Sequence, residues 1–142
     1  MNHLLSIEKR NSVLNRMAKI LEQERANLKA INQQDLNNYT GDDLAMEKRL
    51  LVDDAKIDGM ILSLQQLASQ EDPIGVERFH FVHDNGIKIT NKTAAFGTIM
   101  IIYESRPDVT VEAGGIAFKS GNKILLKGGK ESLGSNLKIV EL

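Results

Sequence analysis

Two short polar segments of this sequence, residues 104–108 and 127–131, contain side chains that can bind an anion. In the second segment, Lys127, Gly128, Gly129 and Lys130 join two small residues to two cations. A helix beginning near Glu131 would add free backbone N–H groups and a partial positive charge, so a phosphate or a ribose would fit there. A glycine turn with two solvated lysines is the alternative, because the glycine spacing of the known phosphate-binding loops is incomplete. The residues alone leave both interpretations open.

The first polar segment follows an apolar run and contains Arg106. A guanidinium at this place can donate to a carboxylate, a phosphate or a developing oxyanion. An ion pair with Asp108 or Glu104 is the alternative, since loop arginines commonly form surface pairs. Tyr103 and Ser105 are interpreted as a packed ring and a turn hydroxyl, because this segment has no histidine that could activate them.

A strand, a helix and a second strand are predicted to bring these two segments together. Residues 96–103 form a continuous apolar run, which suits a strand buried on both faces. Asp108 is predicted to cap a helix from about Val109 to Lys119, and residues 123–127 form a second short strand. Because ligands collect at the carboxyl ends of parallel strands, both segments are expected at the same edge of a parallel sheet.

The first half of the sequence is predicted to be helical. One long amphipathic helix is indicated by apolar residues at spacings of three, four and seven: Leu14, Met17, Leu21, Leu28 and Ile31. A second helix follows Asp53 and Asp54, which favour a helix amino terminus, and ends before Pro73. Its apolar positions are Ile57, Met60, Ile61, Leu64 and Leu67. Such stripes face a core more often than a partner.

Residues 76–92 alternate in the manner of a β-hairpin, with Asn85 and Gly86 predicted to supply two positive φ angles in a tight turn. His80 and His83 lie in this hairpin. Residues three apart on a strand point to opposite faces, so joint metal binding is disfavoured and no metal site is predicted.

Composition excludes several classes of protein. Eighteen basic and 19 acidic residues are interspersed in the 142, which disfavours nucleic acid as a partner. No apolar stretch is long enough to span a membrane, and the cytoplasm is the expected compartment. Cysteine is absent, so these residues supply neither a disulfide nor a thiol nucleophile.

Several motifs resemble those of the gamma-glutamyl phosphate reductases, also called glutamate-5-semialdehyde dehydrogenases. The motifs of the second half are YESRPDVTV at 103–111, KSGN at 119–122 and LKGGKE at 126–131. Those upstream are KRLL at 48–51, IDGM at 57–60 and DPIG at 72–75. The resemblance thus covers nearly the whole sequence. Asp108 departs from the family pattern, in which asparagine is commoner.

The resemblance implies an α/β fold, namely a partial Rossmann-like parallel sheet of the aldehyde dehydrogenase superfamily, preceded by long helices and a hairpin. It also implies NADPH-dependent reduction of L-gamma-glutamyl 5-phosphate to L-glutamate 5-semialdehyde in proline biosynthesis. Lys127 matches a lysine that contacts the adenosine ribose of the cofactor, and Gly128 and Gly129 belong to the same loop. Lys130 falls where NAD-preferring relatives often carry a glutamate, so its charge favours the 2′-phosphate of NADP(H). Arg106 falls near an oxyanion-stabilising asparagine, which implies a contact with the acyl or phosphate oxygen.

The resemblance also divides the chain and implies its partners. Residues 1–75 correspond to the helical part of the cofactor domain, 76–94 to an oligomerisation hairpin and 95–142 to the first β-α-β-α unit of the NADP-binding domain. A homo-oligomer is implied. Because the family reacts through a cysteine thiolate, this chain is expected to be an amino-terminal part, inactive alone. The alternative is a non-catalytic oligomerising or nucleotide-binding module that acts through partners.

Overall fold

A computed structural model describes residues 5–142 of the chain. The predicted segment 1–75 therefore begins with four residues that lie outside the described range. The helices are α1 (Ile7–Gln23), α2 (Arg25–Asn38), α3 (Leu44–Leu50), α4 (Asp54–Ser69), α5 (Pro107–Lys119) and α6 (Leu133–Glu141), with a short 3-10 turn at Lys130–Ser132. The strands are β1 (Glu77–Val82), β2 (Lys88–Lys92), β3 (Thr98–Ile102) and β4 (Lys123–Lys127).

The hydrophobic core lies among the helices. Helix α1 packs on α4, and α5 packs across α4, while α2 packs on α6. Most of the apolar positions predicted to face the core are buried there: Leu14, Leu21, Leu28, Ile57, Met60 and Leu64. Met17, Ile61 and Leu67 are partly buried against the same cluster. The apolar stripes therefore form the core, as predicted.

The predicted single amino-terminal helix is in fact two helices. The chain bends at Glu24, whose φ of −93° and ψ of 8° depart from helical values. The sequence pattern does not reveal the bend, because the apolar spacing of seven continues across it from Leu21 to Leu28. Since α1 and α2 pack on different partners, the bend lets each half follow its own partner.

The short helix α3 was not predicted from the pattern, although its start has a recognisable cap. The Asp43 side chain accepts from the backbone N–H of Ala45 at 2.8 Å and of Met46 at 3.3 Å. The predicted start of α4 is confirmed, because Asp53 accepts from the Lys56 N–H at 2.8 Å. Both caps satisfy backbone donors that a helix start leaves free.

The hairpin forms, but its turn differs from the prediction. Gly86 has a φ of 85°, whereas no residue other than glycine has a positive φ in the described chain. Asn85 instead uses its side chain, which accepts from the Ile87 N–H at 3.1 Å. A bond from the His83 N–H to the Ile87 carbonyl at 2.8 Å closes a three-residue loop. Such loops need only one left-handed residue.

Strands β3 and β4 pair in parallel, with α5 between them in sequence. Helix α5 begins at Pro107, which corrects the prediction that Asp108 is its cap. Pro107 takes the first helical position because its missing N–H costs nothing there. Along both strands, exposed and partly buried residues alternate, so burial on both faces is also corrected. The outward face carries Met100, Ile102 and Leu125, which no described element covers.

A buried charge cluster ties the amino-terminal helices to α5. Arg10 is 2% exposed. It donates to the Leu5 carbonyl at 3.1 Å, to the Asp72 carboxylate at 2.7 Å and to the Lys119 carbonyl. The ammonium of Lys119 in turn donates to the Gln70 carbonyl at 2.8 Å. Cations thus satisfy free carbonyls at the carboxyl ends of α4 and α5.

Within residues 5–142, no helix has both the length and the apolar character needed to cross a bilayer.

Candidate functional site

The two polar segments lie side by side at the carboxyl ends of β3 and β4. Ile102 pairs with Lys127 in the parallel register, and the Tyr103 N–H donates to the Lys127 carbonyl at 3.0 Å. The loop containing Arg106 therefore starts beside the loop of Gly128 to Lys130. This edge of the sheet is where parallel α/β folds bind ligands.

One side-chain hydrogen bond joins the two loops. The hydroxyl of Ser105 donates to Oε2 of Glu131 at 2.6 Å, and Ser105 is 1% exposed. The Ser105 bond, together with the backbone N–H of Glu131, lowers the pKa of the Glu131 carboxyl, which is thus ionised at neutral pH. Sequence reasoning missed this pair. Nothing in the spacing of two loops 26 residues apart indicates which of their side chains meet.

The two glycines are required by the protein's own packing. A Cβ on Gly129 would overlap the hydroxyl of Ser105, and a Cβ on Gly128 would overlap the amide of Asn136 and crowd the ring of Tyr103. The space beside each glycine is therefore filled by a side chain of the protein. A ligand would have to approach this loop from the opposite side.

A chain of hydrogen bonds fixes the loop from behind. The Tyr103 hydroxyl lies 2.6 Å from Oγ1 of Thr110, which donates to Oδ1 of Asn136 at 2.9 Å. The Asn136 amide donates to Ser132 at 2.9 Å, and the Ser132 hydroxyl donates to the Gly129 carbonyl at 3.2 Å. Each link joins a different element, so β3, α5, α6 and the loop hold one another in place.

The two lysines of the loop are solvent-exposed. Neither Lys127 nor Lys130 forms an ion pair with any residue of the described chain. Lys130 lines a groove of about 640 Å³ together with Asp35 and Tyr39. An exposed cation that lines an open groove, with a second exposed cation three residues away in the same loop, is able to take an anionic ligand.

Arg106 forms the ion pair that the alternative interpretation anticipated. Its guanidinium lies 2.8 Å from Oδ2 of Asp108, and its side chain is 47% exposed. The bond to Asp108 raises the pKa of Arg106, so the cation is permanent. The other carboxylate oxygen, Oδ1, is buried without a hydrogen-bond partner in the described chain. Glu104, the neighbouring carboxylate, pairs with Arg49 at 2.7 Å. A guanidinium has five donors, so this pairing leaves others for a ligand.

The histidines of the hairpin do not meet a set of metal-binding side chains. His80 lies 3.3 Å from Glu77, and within residues 5–142 no group of three His, Asp or Glu side chains could hold a metal ion.

Comparisons with known proteins agree on one enzyme. Gamma-glutamyl phosphate reductase from Shewanella denitrificans is 41% identical over 141 residues, which are 98% of this chain and 34% of the relative. The chain is homologous to part of the gamma-glutamyl phosphate reductases. The corresponding protein from Persephonella marina is 38% identical over 135 residues, or 94% of this chain and 30% of the relative. No protein-family model matches the sequence.

Solved structures of gamma-glutamyl phosphate reductases show the same fold. The crystal structure from Thermotoga maritima superposes with a TM-score of 0.91 at 34% identity, covering 96% of this chain and 34% of the solved chain. That from Saccharomyces cerevisiae gives 0.90 at 31% identity, covering 96% and 35%. The predicted resemblance and fold class are therefore confirmed. The chain spans about a third of the length of the curated relatives it matches.

Proposed function

We propose that this chain forms the cofactor-binding side of an enzyme that reduces gamma-glutamyl phosphate to glutamate semialdehyde with NADPH. The observation that carries the proposal is the 41% identity to a gamma-glutamyl phosphate reductase over 98% of the chain. The pairing of two anion-competent loops at the carboxyl end of a parallel sheet supports it.

In this proposal, Lys127 contacts the adenosine ribose and Lys130 contacts the 2′-phosphate of NADP(H). Both ammonium groups are exposed and form no ion pair within the described chain, so the residues present fit such a ligand. Gly128 and Gly129 hold the loop close to β3, because any side chain there would push it away from Ser105 and Tyr103. The cofactor therefore meets the lysines and the open side of the backbone.

Arg106 contributes a fixed positive charge on the substrate side. One of its donors is taken by Asp108, and the remaining donors are available to an acyl or phosphate oxygen. A charge held in place before the reaction stabilises a developing oxyanion without reorganisation. NADPH, when bound, supplies the hydride.

The chemistry also needs a nucleophile that these residues do not contain. In the proposed mechanism a cysteine thiolate attacks the acyl phosphate and displaces inorganic phosphate, and the resulting thioester then accepts the hydride. The sequence has no cysteine. We therefore expect no NADPH oxidation when the purified 142-residue chain is mixed with gamma-glutamyl phosphate. Measured turnover would overturn this part of the proposal.

Titration with NADPH, followed by its fluorescence, tests the cofactor role. Replacing Lys127 and Lys130 together with alanine should weaken binding by roughly tenfold or more, because hydrogen bonds to charged groups contribute about 1.5–3 kcal/mol each. The matched control replaces Lys9 and Lys19, two exposed cations of α1, with alanine. It should bind NADPH as tightly as the wild type does. Equal binding by both double variants, or no binding by the wild type, would favour a module that acts through partners.

We also propose that the chain assembles into a homo-oligomer through its hairpin. Every residue of β1 and β2 is exposed. One face carries Phe79, Phe81, Ile87 and Ile89, which are between 47% and 57% exposed. Contiguous apolar surface of this kind marks an interaction site more often than a free surface.

A further inference from the structure

Glu131 carries the negative charge next to the lysine that is proposed to bind the cofactor phosphate. The two residues are neighbours in the 3-10 turn, and Lys130 is one of the causes that lower the pKa of the Glu131 carboxyl. Yet the two side chains do not form an ion pair. The Glu131 carboxylate instead accepts from Ser105 at 2.6 Å.

Ser105 is held in a rigid position. It is 1% exposed and sits in the tight turn closed by a bond from the Arg106 N–H to the Glu104 carbonyl at 2.8 Å. Its hydroxyl also occupies the space beside Gly129. A buried hydroxyl with one strong acceptor keeps that acceptor in place, because separating them would leave a buried donor unsatisfied.

The other carboxylate at the groove is also engaged. Asp35 accepts from the Gly134 N–H at 3.2 Å and from the Ser135 N–H at 2.7 Å. Glu131 is therefore the acid best placed to neutralise Lys130 if its bond to Ser105 is lost.

We propose that Ser105 is a positioning residue that holds Glu131 away from Lys130 and so keeps the charge of Lys130 free for an anionic ligand. The consequence for NADPH rests on the proposed function, whereas the consequence for the lysine itself does not. Ser105 in this role touches neither cofactor nor substrate. It acts on the cofactor through the charges of Glu131 and Lys130.

The reactivity of Lys130 toward a limiting acetylating reagent, measured by mass spectrometry of the labelled peptides, tests the first consequence. Ser105→Ala should slow acetylation of Lys130 roughly two- to fivefold, because an exposed ion pair supplies about 0.4–1 kcal/mol. Adding Glu131→Gln to this variant should restore the rate, since the amide carries no charge. Lys19 on α1 should react equally in all proteins.

An unchanged rate at Lys130 in a folded Ser105→Ala protein would overturn the inference, as would a slowed rate that Glu131→Gln does not restore. Ser105→Gly removes the same hydroxyl and serves if the alanine variant does not fold. NADPH affinity of the same three proteins should follow the labelling rates. If Lys130 is acetylated at the expected rates but the wild type does not bind NADPH, only the proposed function is overturned. If the wild type binds NADPH and Ser105→Ala binds it equally well, the link between Ser105 and the cofactor is overturned.

Discussion

The carboxylate of Asp35 accepts both the backbone N–H and the hydroxyl of Ser135, at 2.7 and 2.6 Å. Asp35 lies near the end of α2, and Ser135 lies in the first turn of α6. A residue of one helix thus caps another helix 100 positions away in sequence. The loop that contains Lys127 and Lys130 leads through the 3-10 turn into α6, so this contact also fixes where that loop ends.

Asp35→Ala should lower the free energy of unfolding by about 1–2 kcal/mol, as expected for loss of a helix cap. Urea denaturation followed by circular dichroism measures the change. Asp42→Ala is the matched control, since Asp42 is exposed and makes no side-chain hydrogen bond in the described chain. Equal stability of the two variants would show that the contact to α6 contributes nothing.

Asn32→Ala should lower the free energy of unfolding by about 2–4 kcal/mol, which is more than the loss expected for Asp35→Ala. Asn32 is 1% exposed. Its amide donates to the Leu50 carbonyl at 2.9 Å and to Ser135 at 3.0 Å, and its oxygen accepts from the Val52 N–H at 2.7 Å. Each buried group left without a partner costs about 1–3 kcal/mol. In the same denaturation experiment the exposed Asn38→Ala should change little, and a loss below 1 kcal/mol for Asn32→Ala would contradict the prediction.

The elements next to the site could be predicted because their signals are local. Strand β4 runs over the predicted residues, Lys123–Lys127, and α5 ends at Lys119 as predicted. Gly121, which follows it, has a φ of 71°. A change of period and a residue tolerant of that angle are visible in a short window of sequence. The proximity of the two loops followed from parallel pairing.

The contacts inside the site could not be predicted, because they depend on distant parts of the chain. The bond between Ser105 and Glu131 requires both loops to be in place, and the cap from Asp35 requires α2 to lie against α6. Ser105 was interpreted as a turn hydroxyl for lack of any local partner. Exposure of the outer sheet face was also missed, since an apolar run does not tell whether a second layer is present.

Acid should lower the stability of the fold, partly because it protonates the carboxylate of Asp72. Partial burial tends to raise the pKa of Asp72, but the Ile74 N–H and the Arg10 guanidinium outweigh it and hold the pKa below its usual value. The folded-state pKa is thus below that of the unfolded chain, about 3.9. The stabilisation is full above that value and is lost as the pH falls through the folded-state pKa.

Asp72→Asn should therefore be less stable than the wild type at pH 7, with a difference that shrinks as the pH falls from about 5 toward 2. Urea denaturation across this range measures it. Replacement of the exposed neighbour, Glu71→Gln, serves as the control. A difference that stays constant with pH would mean that the charge of Asp72 does not contribute to stability.

The exposed hairpin should make the purified chain self-associate. Burying its apolar face between copies would remove Phe79 and Phe81 from water, and each ring is about half exposed. Replacing both with threonine, which suits a strand, should shift the protein toward the monomer in sedimentation velocity at increasing concentration. The control replaces His80 and Val82 with threonine. Their side chains alternate with the two rings and point to the opposite face, so this variant should associate like the wild type. A wild-type chain that stays monomeric and unfolds in one sharp transition would contradict assembly through the hairpin.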